Sequence, residues 1–483
     1  MSANSLKYKL GSATGVTILA IVSLMMAWLS ASHQYSIVPL VAAGGIATLF
    51  IVIATFMNPF HGFILNLAIC FLIYLPQRIL GLDYSLAILW EVHLVICFIS
   101  GLFSLKGSRM SAENAFLFKS PITILLIVYF LYVLAQYFNP NVAHALGWVL
   151  FIRRAIILII IFFAAFYILD SFSKIQKFFY FFFIITFITT LYGYWQENFG
   201  LPPWDLAIVN SSSESYHLHV QWGLVRKFSF LDVVTFPMLL NLGALLLVVF
   251  ALFEKKQKKI LLILTAAGIM LLGATFSGTR SASYIFPAGL FLYSLANMNK
   301  PKNLLIFGGV VALILILMVL PIHRFNTLNR FRSSFTTDDA SLQVRDINRA
   351  RIQPYIWSHP FGGGLLTTGS NGERMYPDHP LAKFPPDSGL LATALEKGWI
   401  GLALDMLLFL MIMIEGIRRY FRTPQESFRK YYLAITCGVF SLVIGEYAQI
   451  VIFQIPICVF FLSAAAIIIR LKLLEKKPET LLI

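Results

Sequence analysis

Eight cations, Arg324, Arg330, Arg332, Arg345, Arg349, Arg351, Arg374 and Lys383, fall between Pro321 and Ser388 in a polar island set among long apolar runs. Side chains gathered this way suit an anion, and the planar fork of arginine suits phosphate oxygens in particular. Arg345 and Arg349 stand one turn apart in a stretch, Leu342 to Gln353, that reads as a helix begun by Asp338 to Ser341 and stopped by Pro354. Like charges at that spacing repel unless an anion bridges them, so the pair suits a diphosphate. Asp346, three residues ahead of Arg349, offers the alternative of a surface ion pair.

Two more cations stand close to apolar spans. Arg280 lies in a short polar hinge from Thr275 to Ser283, where small residues would let it approach a ligand, or from which it could snorkel to an interface. Arg226 and Lys227 precede a span beginning at Asp232, which could pair with Arg226 as a structural ion bridge. Within the island, Gly362 to Gly364 could turn backbone N–H groups toward an anion or form a plain turn. Asp387 follows two prolines and reads both as a helix cap and as a rigidly placed carboxylate. His379 could act as a base or be an ordinary loop histidine.

The elements that must position these residues are membrane helices. Of 483 residues, 59% are hydrophobic and 12% charged, far from the usual composition of a soluble domain. The net charge of +15 would suit nucleic acid in a soluble protein, but here it reads mostly as cytoplasmic anchoring, and no nucleic acid is expected as a partner. Each of the four cysteines lies in an apolar run and reads as a small buried hydrophobe. The fold expected is an all-α polytopic membrane protein of about fourteen spans, near 13–31, 35–56, 62–79, 86–103, 120–138, 148–169, 178–197, 232–253, 260–277, 281–297, 303–320, 390–414, 432–451 and 454–471. The first span is expected to be an uncleaved helix.

An even count puts both termini on one side. If that side is the cytoplasm, inner segments hold 22 of the 37 Lys and Arg. The rest are Arg78, Arg153, Arg154, Arg226, Lys227, Arg280, the island cations and Lys397; most fall at outer ends or loops and call for a compensating partner such as a phosphorylated headgroup. The roles of Arg153 and Arg154 stay open between phosphate contact and snorkelling. The resulting organisation is an N-terminal bundle at 1–197, a short periplasmic loop at 198–231, helices with the Arg280 hinge at 232–320, a large, partly helical periplasmic catalytic loop at 321–389, C-terminal helices at 390–471 and a cytoplasmic tail at 472–483.

These pieces, in this order, resemble the O-antigen ligase and O-antigen polymerase superfamily of membrane glycosyltransferases over roughly Arg226 to Trp399. The likeness rests on the arginine before Phe228 to Asp232, the Ser277-Gly-Thr-Arg280 hinge, Arg345 ahead of Trp357 to Gly364, and the closing stretch from Glu396 to Gly401. It implies a GT-C-type enzyme of the inner membrane that takes glycan from an undecaprenyl-diphosphate carrier at the periplasmic face. Its partners would be that donor, a glycan or glycolipid acceptor and membrane lipids, with room for a chain-length regulator or other assembly proteins. Ligases of the family carry a histidine where this chain has Asp387-Ser388, whereas some polymerase relatives carry an acidic residue there, which tilts the expectation toward polymerase.

On this footing Arg226, Arg280, Arg345 and Arg349 would hold the diphosphate. Asp387, with His379 in reserve, would take the acceptor proton during an attack that inverts the anomeric carbon. No cofactor and no metal are expected, since the first outer turn, Ser32 to Ser36, lacks a carboxylate. The rival readings are ligation onto a lipid A core, a lipid-linked oligosaccharide transporter or flippase, and a non-catalytic assembly component.

Overall fold

The computed structural model describes residues 37–81, 85–104, 108–142, 144–221, 223–299 and 340–475, with a few positions between 305 and 312. The chain divides into two compact units, Met1–Gly62 and Phe63–Ile483. In the first, α1 (Ile37–Met57) turns the Thr55 hydroxyl back onto the Ile51 carbonyl at 2.8 Å. Helix α2 (Pro59–Leu72) begins there and continues into the second unit.

The second unit continues with α3 (Tyr74–Ile79), α4 (Ala87–Phe103), α5 (Ser108–Phe118), α6 (Pro121–Ala135), α7 (Leu146–Ile168) and α8 (Phe172–Phe199). Two short helices, α9 (Pro203–Val209) and α10 (Ser213–His219), lead to a small antiparallel ladder of β1 (Val220–Gln221) and β2 (Leu224–Val225). Then come α11 (Thr235–Ala251), α12 (Gln257–Thr275), a 3₁₀ turn at Arg280–Tyr284 and α13 (Ile285–Ala296). The last elements are α14 (Ala340–Ser358), α15 (Gly369–Met375), α16 (Gly389–Arg422), α17 (Glu426–Ala448) and α18 (Ile457–Leu474).

Among the described residues, eight helices are long and apolar enough to cross a membrane: α6 with the turn that follows it, α7, α8, α11, α12, α16, α17 and α18. Helices α2, α4 and the Ala47–Met57 part of α1 are apolar but shorter. The all-α membrane architecture therefore stands, and the described residues show eight such helices rather than the fourteen expected of the whole chain. The expected span at 13–31, and all but a few positions of the one at 303–320, lie outside the described residues. The expected span at 62–79 is two helices, α2 and α3. The one at 281–297 is a 3₁₀ turn followed by 12 helical residues. Hydropathy measures the length of an apolar run, but not where the backbone turns within it.

Two helices form the centre. α11 and α18 are buried on nearly all sides. α11 packs against α12, α13 and α17, and α18 against α7. Outer helices instead expose apolar stripes: Tyr180, Ile184, Ile188, Leu191, Trp195 and Phe199 of α8 are all exposed, at spacings of three and four that place them on one face. In water such a stripe would be costly; against lipid it needs no cover.

One end of the bundle gathers the start of α11, the end of α12, the start of α13 and the end of α17. The Lys227 N–H bonds the Phe276 carbonyl at 3.2 Å, and Gly445 of α17 lies against Ile285. The start of α16 joins them, Gly389 N–H donating to the Gln449 carbonyl at 3.2 Å. The basic stretches at 255–259 and 418–430 lie at the opposite helix ends, where Lys255 pairs with Glu426 at 3.8 Å.

Candidate functional site

The loop from Arg226 to Asp232 is built around its arginine. Arg226 is buried, and its guanidinium donates to the carbonyls of Ser277 (2.7 Å), Leu218 (2.9 Å) and Val233 (3.5 Å) and to Thr279 Oγ1. Ser277 and Thr279 also hold the Val233 carbonyl. The small polar residues before Arg280 are thus spent in fastening the hinge to this loop, and Arg226 is the rivet. Asp232 caps α11 instead, accepting from the N–H groups of Val234 and Thr235 at 2.8 Å each.

Fastening the hinge brings Arg280 to the wall of a cavity of about 540 Å3, shared with Arg226, Arg349, Asp346, Tyr447 and Gln449. Its three guanidinium groups come from three separate stretches of chain and face one carboxylate, a net positive lining. Arg349 donates to Tyr447 Oη at 3.0 Å, and its guanidinium carbon lies 4.8 Å from the centre of that ring. Arg345 lies on α14, one turn before Arg349, and its side chain is outside the described residues. Arg324, Arg330 and Arg332 also lie outside them. Helix α14 runs on to Ser358 rather than stopping at Pro354, because a proline removes one ladder bond without ending a helix that is otherwise supported.

Asp387 is not among the residues lining this cavity; it stands two positions before Gly389, whose N–H bonds the carbonyl of Gln449 in the cavity wall. The cap of α16 is Ser388, whose hydroxyl accepts from Leu391 N–H at 3.1 Å. Beneath Gly389 lies the buried carboxylate of Glu446, which accepts from the N–H groups of Val451 (2.8 Å) and Ile452 (2.6 Å). His379 does not line the cavity. Its Nδ1 accepts from Leu381 N–H at 3.1 Å, its ring also bonds the Asn141 backbone, and burial pushes its pKa below the usual histidine value.

The glycine run and the closing stretch form one unit. Helix α16 breaks at Gly398, where φ is +71°, freeing carbonyls just before the break. Gly363 N–H bonds the Leu395 carbonyl (2.7 Å) and Gly364 N–H the Glu396 carbonyl (3.0 Å). A Cβ on Gly362 would strike the Glu396 carbonyl, and one on Gly398 the Pro360 carbonyl, so neither position tolerates a side chain. The N–H groups of Gly363 and Gly364 are therefore used within the protein rather than turned toward an anion.

Several cations that seemed to need an external partner have one inside the chain. Arg78 meets Asp205 at 3.3 Å, Arg153 meets Glu91 at 3.6 Å, Lys227 meets Glu197 at 3.6 Å and Lys397 meets Asp405 at 3.4 Å. Lys397 also donates to Tyr129 Oη at 2.6 Å. Sequence reasoning missed Tyr447 and Gln449 in the cavity wall and the buried Glu446; a carboxylate inside an apolar span was the available signal.

Residues 265–405 match the family model described as O-antigen ligase. That stretch contains the hinge, the island and the broken start of α16, and its match supports the likeness to the O-antigen ligase and O-antigen polymerase superfamily. Arg226 lies outside the match. No curated protein matches the chain.

Proposed function

We propose that the protein transfers or polymerises glycan from an undecaprenyl-diphosphate-linked donor, acting as an inverting glycosyltransferase of the inner membrane. The observation that carries this reading is the convergence of Arg226, Arg280 and Arg349 on one cavity within a membrane protein whose central stretch matches the O-antigen ligase family. Arg280 and Arg349, with Arg345 on the same helix, bind the two phosphoryl groups, while Arg226 holds the hinge that aims Arg280. Asp387, two residues before the Gly389 N–H that bonds the cavity-wall residue Gln449, takes the proton of the acceptor hydroxyl. Its oxygen then bonds to the anomeric carbon as the bond to diphosphate breaks, and the arginines stabilise the departing charge.

Placing the cavity on the periplasmic side, with both termini cytoplasmic, is supported by the basic stretches at the opposite helix ends. Polymerisation is preferred because Asp387-Ser388 stands where ligases carry histidine, while ligation onto a lipid A core uses the same donor site. Purified protein given a defined carrier-linked oligosaccharide should make a ladder of products. A single product, formed only when lipid A core is supplied, would indicate a ligase, and carrier movement without any new glycosidic bond would reject the proposal.

A further inference from the structure

A second cavity, of about 220 Å3, opens at the same end of the bundle between the end of α6, the start of α7 and the island. Its wall includes Tyr137, Trp148, His144, Tyr376, Gln136 and Asn139. The amides and the Tyr376 hydroxyl are already engaged. Gln136 and Asn139 donate to the Phe361 carbonyl, each at 3.0 Å, and Tyr376 Oη accepts from Gly147 N–H at 2.7 Å and donates to the His144 carbonyl at 3.0 Å. These bonds fix the wall.

The aromatic groups are left to meet a ligand. Tyr137 is 53% exposed and stands edge-on to Trp148 at 5.1 Å, while the exposed His144 ring stacks on Tyr376 at 4.6 Å. Rigid aromatic faces beside a tyrosine hydroxyl and an imidazole suit a sugar ring: its C–H faces carry partial positive charge and pack on the negative face of an aromatic ring, and its hydroxyls find polar heads at the edge. A phosphate would find no lysine or arginine among the residues of this wall, so the pocket differs in chemistry from the arginine cavity.

The two cavities are joined by the part of α16 that precedes its break at Gly398. At one end, Gly389 N–H bonds the Gln449 carbonyl in the wall of the arginine cavity. At the other, Tyr132 Oη donates to the Lys397 carbonyl at 2.5 Å, and Gln136 of the second wall donates to Tyr132 Oη at 2.9 Å. Eight helical rises separate those anchors, about 12 Å. The island likewise runs from Asp346 and Arg349 in the first wall to Leu365 and Tyr376 in the second.

We infer that the second cavity is a saccharide subsite, binding a ring of the glycan whose diphosphate or growing end lies in the arginine cavity. The inference rests on the glycan-transfer reading. Its test is binding rather than turnover: the purified full-length protein is titrated separately with carrier-free oligosaccharide, released by mild acid from the host's lipid-linked glycan, and with inorganic pyrophosphate. The wild type should bind both. Tyr137→Ala and His144→Ala, each checked for an unchanged melting temperature, should weaken oligosaccharide binding at least tenfold and leave pyrophosphate binding intact. Tyr137→Phe, which keeps the ring, should recover most of the loss, and Arg280→Ala should do the reverse of Tyr137→Ala. Oligosaccharide binding that is absent from the wild type, or unmoved by Tyr137→Ala and His144→Ala, overturns the subsite. Failure of pyrophosphate alone removes the diphosphate reading and leaves the saccharide site standing.

Discussion

Arg349 of the island and Tyr447 at the end of α17 are joined three times, by hydrogen bonds to the Tyr447 hydroxyl (3.0 Å) and carbonyl (3.5 Å) and by a guanidinium lying 4.8 Å from the ring centre. A helix that follows a long polar stretch is thereby tied to the wall of the arginine cavity. Removing the ring should loosen Arg349 to its 3.5 Å bond with the Tyr447 carbonyl without removing its charge. A cation and ring at an exposed site contribute about 0.5–1 kcal/mol, so Tyr447→Ala should raise the KM for donor by about two- to fivefold with a smaller change in kcat. Steady-state kinetics across donor concentrations check this, and an unchanged KM would show that the contact does not position a binding group.

The break at Gly398 gives a contrast between two glycines of positive φ. Gly398 (φ +71°) is closed in by the Pro360 carbonyl, whereas Gly81 (φ +59°) has open space where a Cβ would stand. Gly81→Ala should cost only the left-handed conformation, about 1–2 kcal/mol. Gly398→Ala should cost about 1–3 kcal/mol more through overpacking. Thermal unfolding in detergent compares them; equal losses would mean that the glycine run does not pack on the break.

Lys397 is assigned to structure, not to substrate. Breaking its buried pair from either side should destabilise by about 3–5 kcal/mol, because the remaining charge is left unpaired. Lys397→Met combined with Asp405→Leu should lose less than the sum of the single changes. Additive losses would argue against the pair.

Asp387 and His379 should separate in kinetics and in pH dependence. A positioned base contributes about 10²–10⁴ in rate, so Asp387→Asn should lower kcat within that range. His379→Gln should leave kcat within a few-fold. Its effect lies in stability: burial lowers the folded pKa, so the neutral ring's contribution is full above the unfolded value, about 6.5, and is lost as pH falls through the folded value. The melting temperature of wild type should therefore fall more steeply on acidification than that of His379→Gln. Parallel curves would remove the assignment.

The helices were legible because lipid demands apolar length and satisfied backbone bonds, which leave long runs in the sequence. Some of their bounds were not, since the run at 62–79 conceals a break between α2 and α3, and α13 is shorter than its apolar flank suggests. The arginines of the cavity could be named from their placement, but not their division of labour: the four bonds of Arg226 to the hinge and its neighbours join residues as far as 53 positions apart. The partners of Arg78 and Lys227 were hidden for the same reason, since Asp205 is 127 residues from Arg78 and the pairing of Lys227 with Glu197 depends on how α8 ends. The glycine run read equally well as anion cradle or turn until the carbonyls freed at Gly398 supplied its partners.

The most direct measurement is the rate of glycan transfer by purified Arg280→Ala protein from a carrier-diphosphate donor, beside wild type at the same melting temperature. Loss of one preorganised donor to developing charge predicts a kcat lower by about 10²–10³. Transfer at the wild-type rate would contradict the account.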